Sequence, residues 1–432
     1  MNVAVLGLWH LGSVTAAATA AAGHRVRAWD PETSTVIALQ GGTPPIQEPG
    51  LAELLKQQIE RGTLSVHRDR REALAGTEIV WITFDTPVDA DDRADTAFVL
   101  EQVIAAIGDA DPGTLFLLSS QLPIGTARTL EAEARARRPE AGFSFACSPE
   151  NLRLGKALDV FSQPDRVVIG VRSEGDRSRL AALFKPITDR LEWMSVESAE
   201  MTKHAVNSFL AMSVAFINEI AAVGERMGAD AREVERGLKT ERRIGPSAYV
   251  SPGAAFAGGT LARDIAYIRA AGAETGVRTP LFDGVLESNL AHRAWPRRRL
   301  ELELGNVRGK RIAIWGLTYK PGTDTLRRSE SVALAEWLAG EGATVTTHDP
   351  AVAVLPADLA ARVRHVTDPV EAVARADALV VATEWPVYRT IDPTTLAAAL
   401  PSGLIIDANG FLRGRLDKDS RFRVVSVGRP SS

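Results

Sequence analysis

The chain contains very little cysteine. Cys147 is the only one in 432 residues. A single cysteine excludes an intramolecular disulfide and a cysteine-rich zinc site, and it fits a reducing compartment. We therefore expect a cytoplasmic protein with no metal site.

Excess charge of one sign and long apolar runs are also scarce. The chain has 50 Lys and Arg residues against 54 Asp and Glu residues, a net charge of -4, so we expect no broad surface for nucleic acid or an anionic membrane. No run approaches the ~20 apolar residues of a membrane span. The apolar start lacks a basic region and is interrupted by Gly7, His10, Gly12 and His24, so it predicts a strand and a helix rather than a signal peptide. Small molecules are the expected partners.

The pattern along the chain predicts an α/β fold. A length of 432 residues suggests two or three globular domains, and a hydrophobic content of 45% is ample for their cores. Short β-branched runs alternate with Ala- and Leu-rich stretches, which is typical of parallel sheets with crossover helices. The predicted strands are 3–6, 24–29, 78–84, 114–119, 143–147, 166–170, 311–315, 344–348, 378–382 and 404–406.

A long helix is predicted at 198–227. It has no internal proline and carries apolar residues on more than one face, so we expect it to be buried between domains or subunits. We predict that two chains pair through this helix as a homodimer. The two ends of the chain echo one another, since Asp30-Pro31 has a counterpart in Asp349-Pro350. We infer two doubly wound parallel-sheet domains, 1–196 and 301–432, joined by a central helical region, 197–300.

The turn after the first predicted strand reads Gly7-Leu8-Trp9-His10-Leu11-Gly12, and Asp30 ends the next strand. This pattern indicates a Rossmann dinucleotide site, in which the acidic residue binds the ribose hydroxyls and repels a 2′-phosphate. We therefore predict NAD rather than NADP. The second glycine of the pattern is replaced by Trp9, so an ordinary βα turn stays an alternative. The predicted cofactor-binding residues of this turn are Gly7, Trp9, His10, Leu11, Gly12 and Asp30.

Further motifs resemble those of the UDP-glucose/GDP-mannose dehydrogenase family. The resemblance covers nearly the whole chain. Its motifs are Pro45-Ile46-Gln47-Glu48-Pro49-Gly50-Leu51, Thr86-Pro87, Ser119 to Thr126, Ser148 to Gly155, Lys203 with Asn207, Arg243-Ile244-Gly245, Ala255 to Asp264, and Gly316 to Asp324 with Arg327.

The resemblance implies roles for individual residues. Lys203 and Asn207, four apart on one helix face, would lie beside the reacting carbon and bind an oxyanion, and Asp264 with Lys203 would hold a water or accept the alcohol proton. A solvent-facing helix pair and a carboxylate at a helix N-terminus are the plainer alternatives. The remaining matches are Glu150 and Thr260 as catalytic residues, Thr86, Gln121 and Arg327 near the cofactor, and Leu152, Arg153, Arg243, Phe256, Gly258 and Lys320, with Lys203 and Asn207, near the nucleotide sugar.

Asp407-Ala408-Asn409 lacks the arginine of the family's Asp-x-Arg-Asn motif. Three further departures from the family pattern concern the second half of its reaction. Thr260 stands where the family has the cysteine that forms a thiohemiacetal, Gln121 replaces a threonine that positions water, and Leu154 replaces a second glutamate. A threonine hydroxyl lacks the thiolate character of that cysteine, and no histidine adjacent in sequence activates it.

The sequence therefore predicts an NAD-dependent oxidoreductase that oxidises the C6 alcohol of a nucleotide sugar to an aldehyde. Full oxidation to a uronic acid by a noncysteine route is one alternative. NAD-assisted epimerisation or isomerisation is a second, and a noncatalytic nucleotide-sugar sensor or structural subunit is a third. Net NADH release separates dehydrogenation from the last two, and the ratio of NADH to sugar separates two-electron from four-electron oxidation.

Overall fold

The computed structural model describes residues 1–86, 94–257, 259–326 and 329–429. Pro87, Gly258 and Arg327, which the sequence motifs single out, lie outside these ranges. The chain divides into two compact units, Met1–Val206 and Asn207–Ser432, and each unit has its own sheet and its own apolar core.

The described part of the first unit contains an eight-stranded sheet in the order β3-β2-β1-β4-β5-β6-β7-β8. Strands β1 to β8 are Asn2–Leu6, Arg25–Trp29, Leu64–Val66, Ile79–Ile82, Leu115–Leu118, Ser144–Cys147, Val167–Gly170 and Leu191–Met194. Helices α1 to α8 are His10–Ala21, Thr33–Gln40, Leu51–Glu60, Arg70–Leu74, Thr96–Asp109, Thr126–Arg137, Ala157–Ser162 and Glu174–Phe184, and a 3-10 turn covers Pro139–Ala141.

The central strands of this sheet are apolar on both faces. Every residue of β4 and β5 is buried, as expected where crossover helices cover a parallel sheet on both sides. Alternate residues feed two separate apolar clusters: Val80 and Ile82 lie in one, and Ile79 and Trp81 lie in the other. The predicted α/β fold with crossover helices is therefore confirmed for this unit.

One strand pairing departs from the parallel pattern. Strand β7 runs antiparallel to β6, through the single pair Cys147 and Gly170. A Cβ on Gly170 would lie 2.6 Å from the Cα of Val196, so the glycine allows the helix that begins at Val196 to pack directly on this strand. The sheet is thus mixed rather than wholly parallel.

Helix α9, Val196–Met227, is the longest element. Its first residues belong to the first unit and its remainder to the second. The prediction of a long helix at 198–227 is confirmed, with two more residues at its start.

The second unit continues with four helices and then a six-stranded parallel sheet in the order β11-β10-β9-β12-β13-β14, counted over the residues that the structure describes. Helices α10 to α13 are Ala231–Thr240, Thr260–Thr275, Pro280–Arg293 and Trp295–Leu304. The later elements are β9 Arg311–Trp315, α14 Glu330–Gly340, β10 Thr344–His348, α15 Ala357–Ala360, β11 Arg364–His365, α16 Pro369–Ala372, β12 Ala378–Val381, a 3-10 turn Pro386–Arg389, α17 Pro393–Ala399, β13 Leu404–Ile406 and β14 Arg423–Val425.

The two sheets repeat one topology. In each sheet the third, second, first, fourth, fifth and sixth strands follow one another, which is the doubly wound order of dinucleotide-binding folds. The prediction of two such domains with a central helical region is confirmed. The finer division at 196 and 300 stays a prediction, since contacts alone divide the chain once, after Val206.

Among the described residues, α9 is long and apolar enough to cross a membrane by length and composition alone. On that criterion it departs from the expectation that no segment approaches such a span. The buried core helix of a soluble protein meets the same criterion. Two of its polar residues, Asn207 and Asn218, are buried and hydrogen-bonded to other segments of the second unit.

The second-unit part of α9 leaves an apolar stripe uncovered. Phe209, Phe216, Ile220, Val223 and Met227 are between 38% and 79% exposed. Their spacings of seven, four, three and four residues place them along one side of the helix. Contiguous exposed apolar surface of this kind is typical of a protein interface, so the predicted homodimer stays a prediction with a defined surface.

We expect the chain to form a dimer at micromolar concentration and Val223→Glu to weaken that dimer by about tenfold or more, because a carboxylate would have to be desolvated in the interface. Val354→Glu is the matched control, since Val354 is 83% exposed but far along the chain from α9. Light scattering over a dilution series measures the dissociation. A wild type that is monomeric throughout would contradict the prediction.

Candidate active site

The cofactor turn of the first unit lies between β1 and α1. Gly7 has a φ of +93°, and a Cβ there would lie 2.6 Å from the backbone of Phe84. A Cβ on Gly12 would lie 1.6 Å from the carbonyl oxygen of Gly7. Both positions therefore require glycine, the first for the turn and the second for the packing of α1 on β1.

The missing middle glycine does not block this turn. Trp9 is the N-cap residue of α1 and its side chain is 47% exposed, so the ring is not packed into the turn. No side chain caps α1, and its first backbone N–H groups face the position where a helix N-terminus binds phosphate. Leu11 is buried directly behind them. The residues present thus fit a dinucleotide pyrophosphate.

Asp30 follows β2 and is partly exposed. Its carboxylate accepts hydrogen bonds from the backbone N–H of Leu8 at 2.6 Å and of Glu32 at 2.8 Å. Burial raises the pKa of Asp30, while these two hydrogen bonds oppose the rise. The carboxylate is therefore fixed beside the turn, where it can accept from ribose hydroxyls.

Thr86 and Gln121 meet at the ends of two neighbouring strands. The hydroxyl of Thr86, which is 6% exposed, donates to the carbonyl oxygen of Gln121 at 2.7 Å. The predicted cofactor-side residues after β4 and β5 are therefore in contact through the main chain of Gln121.

Glu48 was not among the predicted site residues, although its motif was recognised. It is 7% exposed and accepts from the N–H of Gly155 and of Ala157, both at 2.8 Å, and it pairs with His10 Nε2 at 2.9 Å. Burial alone would raise the pKa of Glu48, but these hydrogen bonds lower it below its ordinary value. Glu48 thus fixes both the start of α1 and the loop that follows Glu150.

Lys203 and Glu150 form an ion pair in the first unit. Lys203 Nζ donates to the Glu150 carbonyl oxygen at 2.6 Å and to its Oε1 at 3.2 Å, and the lysine side chain is only 10% exposed. Glu150 also accepts from the N–H of Leu152 at 2.7 Å. Glu150 thus orients the Lys203 side chain, whose ammonium can stabilise negative charge that develops on a bound oxygen.

A small cavity of about 20 Å³ lies beside the ion pair. That volume accommodates one water molecule. Polar side chains line this cavity. One of them is His204, which the sequence analysis did not identify; it is 1% exposed and its Nε2 is hydrogen-bonded to the Leu122 carbonyl oxygen at 3.0 Å. Other lining residues are Ser120, Gln121, Cys147, Glu150 and Lys203.

Cys147 is a wall of this cavity and not a nucleophile. It is 6% exposed, and burial, with a smaller contribution from Glu200, raises the pKa of its thiol well above the ordinary value. The reactive form of cysteine is the thiolate. We therefore expect the sole thiol of the chain to be unreactive in the folded protein.

In the second unit, the side chains of Asn207 and Asp264 are hydrogen-bonded to each other. Asp264 has no solvent exposure, and the amide Nδ2 of Asn207 donates to its Oδ2. Asp264 lies one turn into α11, which begins at Thr260 after Gly259 at a φ of +91°. Thr260 is exposed, so a hydroxyl stands at the first helical position.

The other predicted substrate residues are more dispersed. Phe256 is 9% exposed, with its ring in an apolar cluster beside Ile265. The guanidinium of Arg243 is 88% exposed and pairs with Glu241 at 2.9 Å. Arg153 is exposed, and Lys320 is half-buried in the turn after β9. Their substrate roles stay predictions, as do those of Gly258 and Arg327 outside the described residues.

Among the residues that the structure describes, no group of three or more His, Cys, Asp or Glu side chains is placed to bind a metal ion.

Three family models match the chain. They are the NAD binding domain, the central domain and the UDP binding domain of the UDP-glucose/GDP-mannose dehydrogenase family, at residues 1–188, 197–291 and 313–414. The first match confirms NAD as the cofactor.

Individual proteins match over the full length. The UDP-glucose 6-dehydrogenase of Rhizobium meliloti (strain 1021) is 33% identical over 438 residues, covering 100% of both chains. A UDP-glucose dehydrogenase structure from Pyrobaculum islandicum is 32% identical with a TM-score of 0.86, covering 100% of this chain and 98% of that one. A UDP-D-ManNAc dehydrogenase structure from Pyrococcus horikoshii, 24% identical with a TM-score of 0.86 and 99% coverage of both, shows the same fold.

We expect the protein to bind NAD about tenfold or more tightly than NADP, because the Asp30 carboxylate would repel a 2′-phosphate. Asp30→Asn should reduce this preference. Asp69→Asn, which removes a carboxylate that caps α4, is the matched control. Calorimetric titration of both cofactors gives the two affinities, and equal binding to the wild type would refute the role of Asp30.

We expect Cys147 to resist thiol reagents in the folded protein and Cys147→Ala to retain most of the hydride-transfer activity, because the thiol is buried and protonated. Labelling with a chromogenic disulfide before and after denaturation measures its access. The denatured protein must label once per chain as the control. Rapid labelling of the native protein with loss of NADH formation would contradict this assignment.

Proposed function

The chain belongs to the UDP-glucose/GDP-mannose dehydrogenase family, and we propose that it oxidises the primary C6 alcohol of a nucleotide sugar to the aldehyde with one NAD. The reaction converts an alcohol and NAD⁺ into an aldehyde, NADH and a proton. NAD, when bound, accepts the hydride. The residues of the chain bind the sugar, hold its hydroxyl and take its proton.

The proton chemistry is assigned to Asp264 and Lys203. Asp264 is the acceptor for the alcohol proton, and the Asn207 amide fixes the orientation of its carboxylate. The Lys203 ammonium, ordered by Glu150, lowers the energy of the alkoxide that forms as the proton leaves. These roles require no covalent bond to the protein.

The observation that carries the proposal is the identity of the residue at the start of α11. An exposed threonine occupies the position where the family resemblance expects a thiol. A threonine hydroxyl lacks the thiolate character of cysteine and is a poor nucleophile near neutral pH. The only thiol is buried, with a raised pKa. A second hydride transfer through a thiohemiacetal therefore lacks its nucleophile.

Leu154 supports the same conclusion. It lies in the loop after Glu150, is half-buried, and cannot accept a proton. With an apolar side chain in place of a carboxylate, this loop keeps the first glutamate, which pairs with Lys203, and loses the second. Hydrolysis to an acid should be impaired more than alcohol oxidation.

The nucleotide half of the substrate is assigned to the C-terminal sheet. The UDP binding domain model covers 313–414, which includes the turn after β9 with Lys320. We propose a UDP-sugar of the glucose type as the substrate, since the Rhizobium meliloti relative is a UDP-glucose 6-dehydrogenase. The single cysteine fits a reducing compartment, so we propose a cytoplasmic location.

We expect Thr260→Ala to retain most of the alcohol oxidation, whereas Lys203→Ala and Asp264→Asn should lower kcat by about 100-fold or more, the usual scale for general acid-base and oxyanion groups. Asp283→Asn is the matched control for Asp264, since Asp283 pairs with Arg269 on the protein surface. NADH absorbance measures the rate with a panel of UDP-, GDP- and dTDP-sugars.

The product should be an aldehyde or its hydrate. Hydroxylamine trapping and mass spectrometry identify it, and one NADH should form per sugar. Two NADH per sugar with a carboxylate product, both abolished in Thr260→Ala, would instead show a uronate-forming dehydrogenase with an unusual nucleophile. Sugar turnover without net NADH would point to epimerisation.

A further inference from the structure

The backbone just ahead of α11 is held by side-chain amides of the second unit. Asn218 on α9 accepts from the N–H of Gly253 at 3.0 Å and donates to the carbonyl of Ala254 at 3.4 Å. Asn289 on α12 accepts from the N–H of Phe256 at 2.9 Å and donates to its carbonyl at 2.8 Å. The segment 253–256, here called the amide-held segment, is thus held by four side-chain hydrogen bonds.

A third amide reaches this segment from the C-terminal sheet. Asn409 Oδ1 accepts from the N–H of Ala254 at 2.7 Å. The approach is so close that a Cβ on Gly253 would lie 2.4 Å from that oxygen. Arg232 on α10 donates to the Asn409 carbonyl at 2.8 Å and holds the same residue from its other side.

Asn409 is rigidly mounted. It follows β13, and the preceding Asp407, 1% exposed, accepts from the N–H of Phe411 at 2.9 Å and of Leu412 at 2.8 Å. Gly410 provides the positive φ, +69°, that the turn between them requires. Movement at the end of β13 would therefore be transmitted to Asn409 and not absorbed by it.

The end of β13 is where this sheet is expected to meet its ligand. In open parallel sheets, ligands bind outside the carboxyl ends of the strands. The turn after β9, which carries Lys320, ends at the same edge, since β9, β12 and β13 are neighbouring parallel strands. Asn409 thus connects the nucleotide edge of the sheet to the segment that leads into Thr260 and Asp264.

We infer that Asn409 is a positioning residue that couples nucleotide binding at the C-terminal sheet to the conformation of the amide-held segment. Hydride removal then depends on the nucleotide half of the substrate, which does not itself react. Binding energy from a remote group used in this way raises kcat and not affinity. This inference rests on the proposed function, because it takes the C-terminal sheet as the nucleotide site.

The test uses two variants that each break the hydrogen bond between the Ala254 N–H and Asn409 Oδ1, one by changing Asn409 and the other by changing the amide-held segment. Asn409→Leu removes the acceptor with little change in volume, and Gly253→Ala pushes the same amide away without needing a new backbone conformation. Each should lower kcat by about 10- to 100-fold, the scale of small misplacements at a reaction centre, while the affinity for UDP alone changes less than about twofold. The double variant should be no worse than the worse single variant, because both remove the same interaction.

Asn409→Asp is the conservative variant. It keeps an oxygen that can accept from Ala254, so it should recover most of the kcat that Asn409→Leu loses. Asn306→Leu is the matched control, since Asn306 accepts from the nearby Arg308 N–H in a surface turn, and it should behave as the wild type.

Amide hydrogen exchange distinguishes loss of coupling between the nucleotide site and the amide-held segment from a general loss of stability. In the wild type, UDP should slow amide exchange both at 316–320 and at 253–257. In Asn409→Leu it should slow exchange at 316–320 only. Protection of both segments by UDP in Asn409→Leu, or strictly additive losses in the double variant, would overturn the inference. Failure of UDP to bind the wild type at all would instead refute the proposed nucleotide site.

Discussion

A carboxylate shut off from water must receive hydrogen-bond donors from the protein, because an unpaired buried charge costs several kcal/mol. Among the described residues, Asp264 is the most completely buried carboxylate, with no exposed surface, and the Asn207 amide donates to it. That one requirement fixes α11 against α9 within the second unit. Since Thr260 is the first residue of α11, the position of the candidate reaction site follows from how this carboxylate is satisfied.

The same physical rule organises the loops elsewhere. Glu48 holds the N–H groups of Gly155 and Ala157, and Glu200, 6% exposed, holds those of Gly125 and Ala127 at 2.6 and 2.9 Å. Each carboxylate spans one N–H of a loop and one in the first turn of the helix that follows it, so this junction cannot shift without leaving both donors and the carboxylate unsatisfied. Burial raises the pKa of Glu200 and the two hydrogen bonds oppose the rise.

Sequence patterns predicted the elements that depend on local information. The fingerprint turn was predictable because Gly7 and Gly12 are each required by one close approach, and the central strands were predictable because they are buried on both faces. Short edge strands such as Leu64–Val66 and Arg364–His365 were missed, because two or three residues carry no period. The roles of Asn289 and Asn409 were also missed. Their partners lie 33 and 155 positions away along the chain, and no spacing rule connects an amide to a distant backbone N–H.

The two sheets share one topology but differ at the carboxylate that follows their second strand. Asp30 and Asp349 both follow the second strand of their sheets, yet Asp30 is partly exposed and Asp349 is 3% exposed. Oδ2 of Asp349 accepts from the N–H of Leu317 and Thr318, from the Thr318 hydroxyl and from Trp385 Nε1, all between 2.7 and 3.1 Å. Oδ1 accepts from the N–H of Ala351 at 2.9 Å, so five donors hold a carboxylate that is also closed to a ribose hydroxyl by burial. The C-terminal sheet therefore keeps the scaffold of a dinucleotide site but has saturated the acceptor that such a site uses, which leaves dinucleotide binding to the N-terminal sheet.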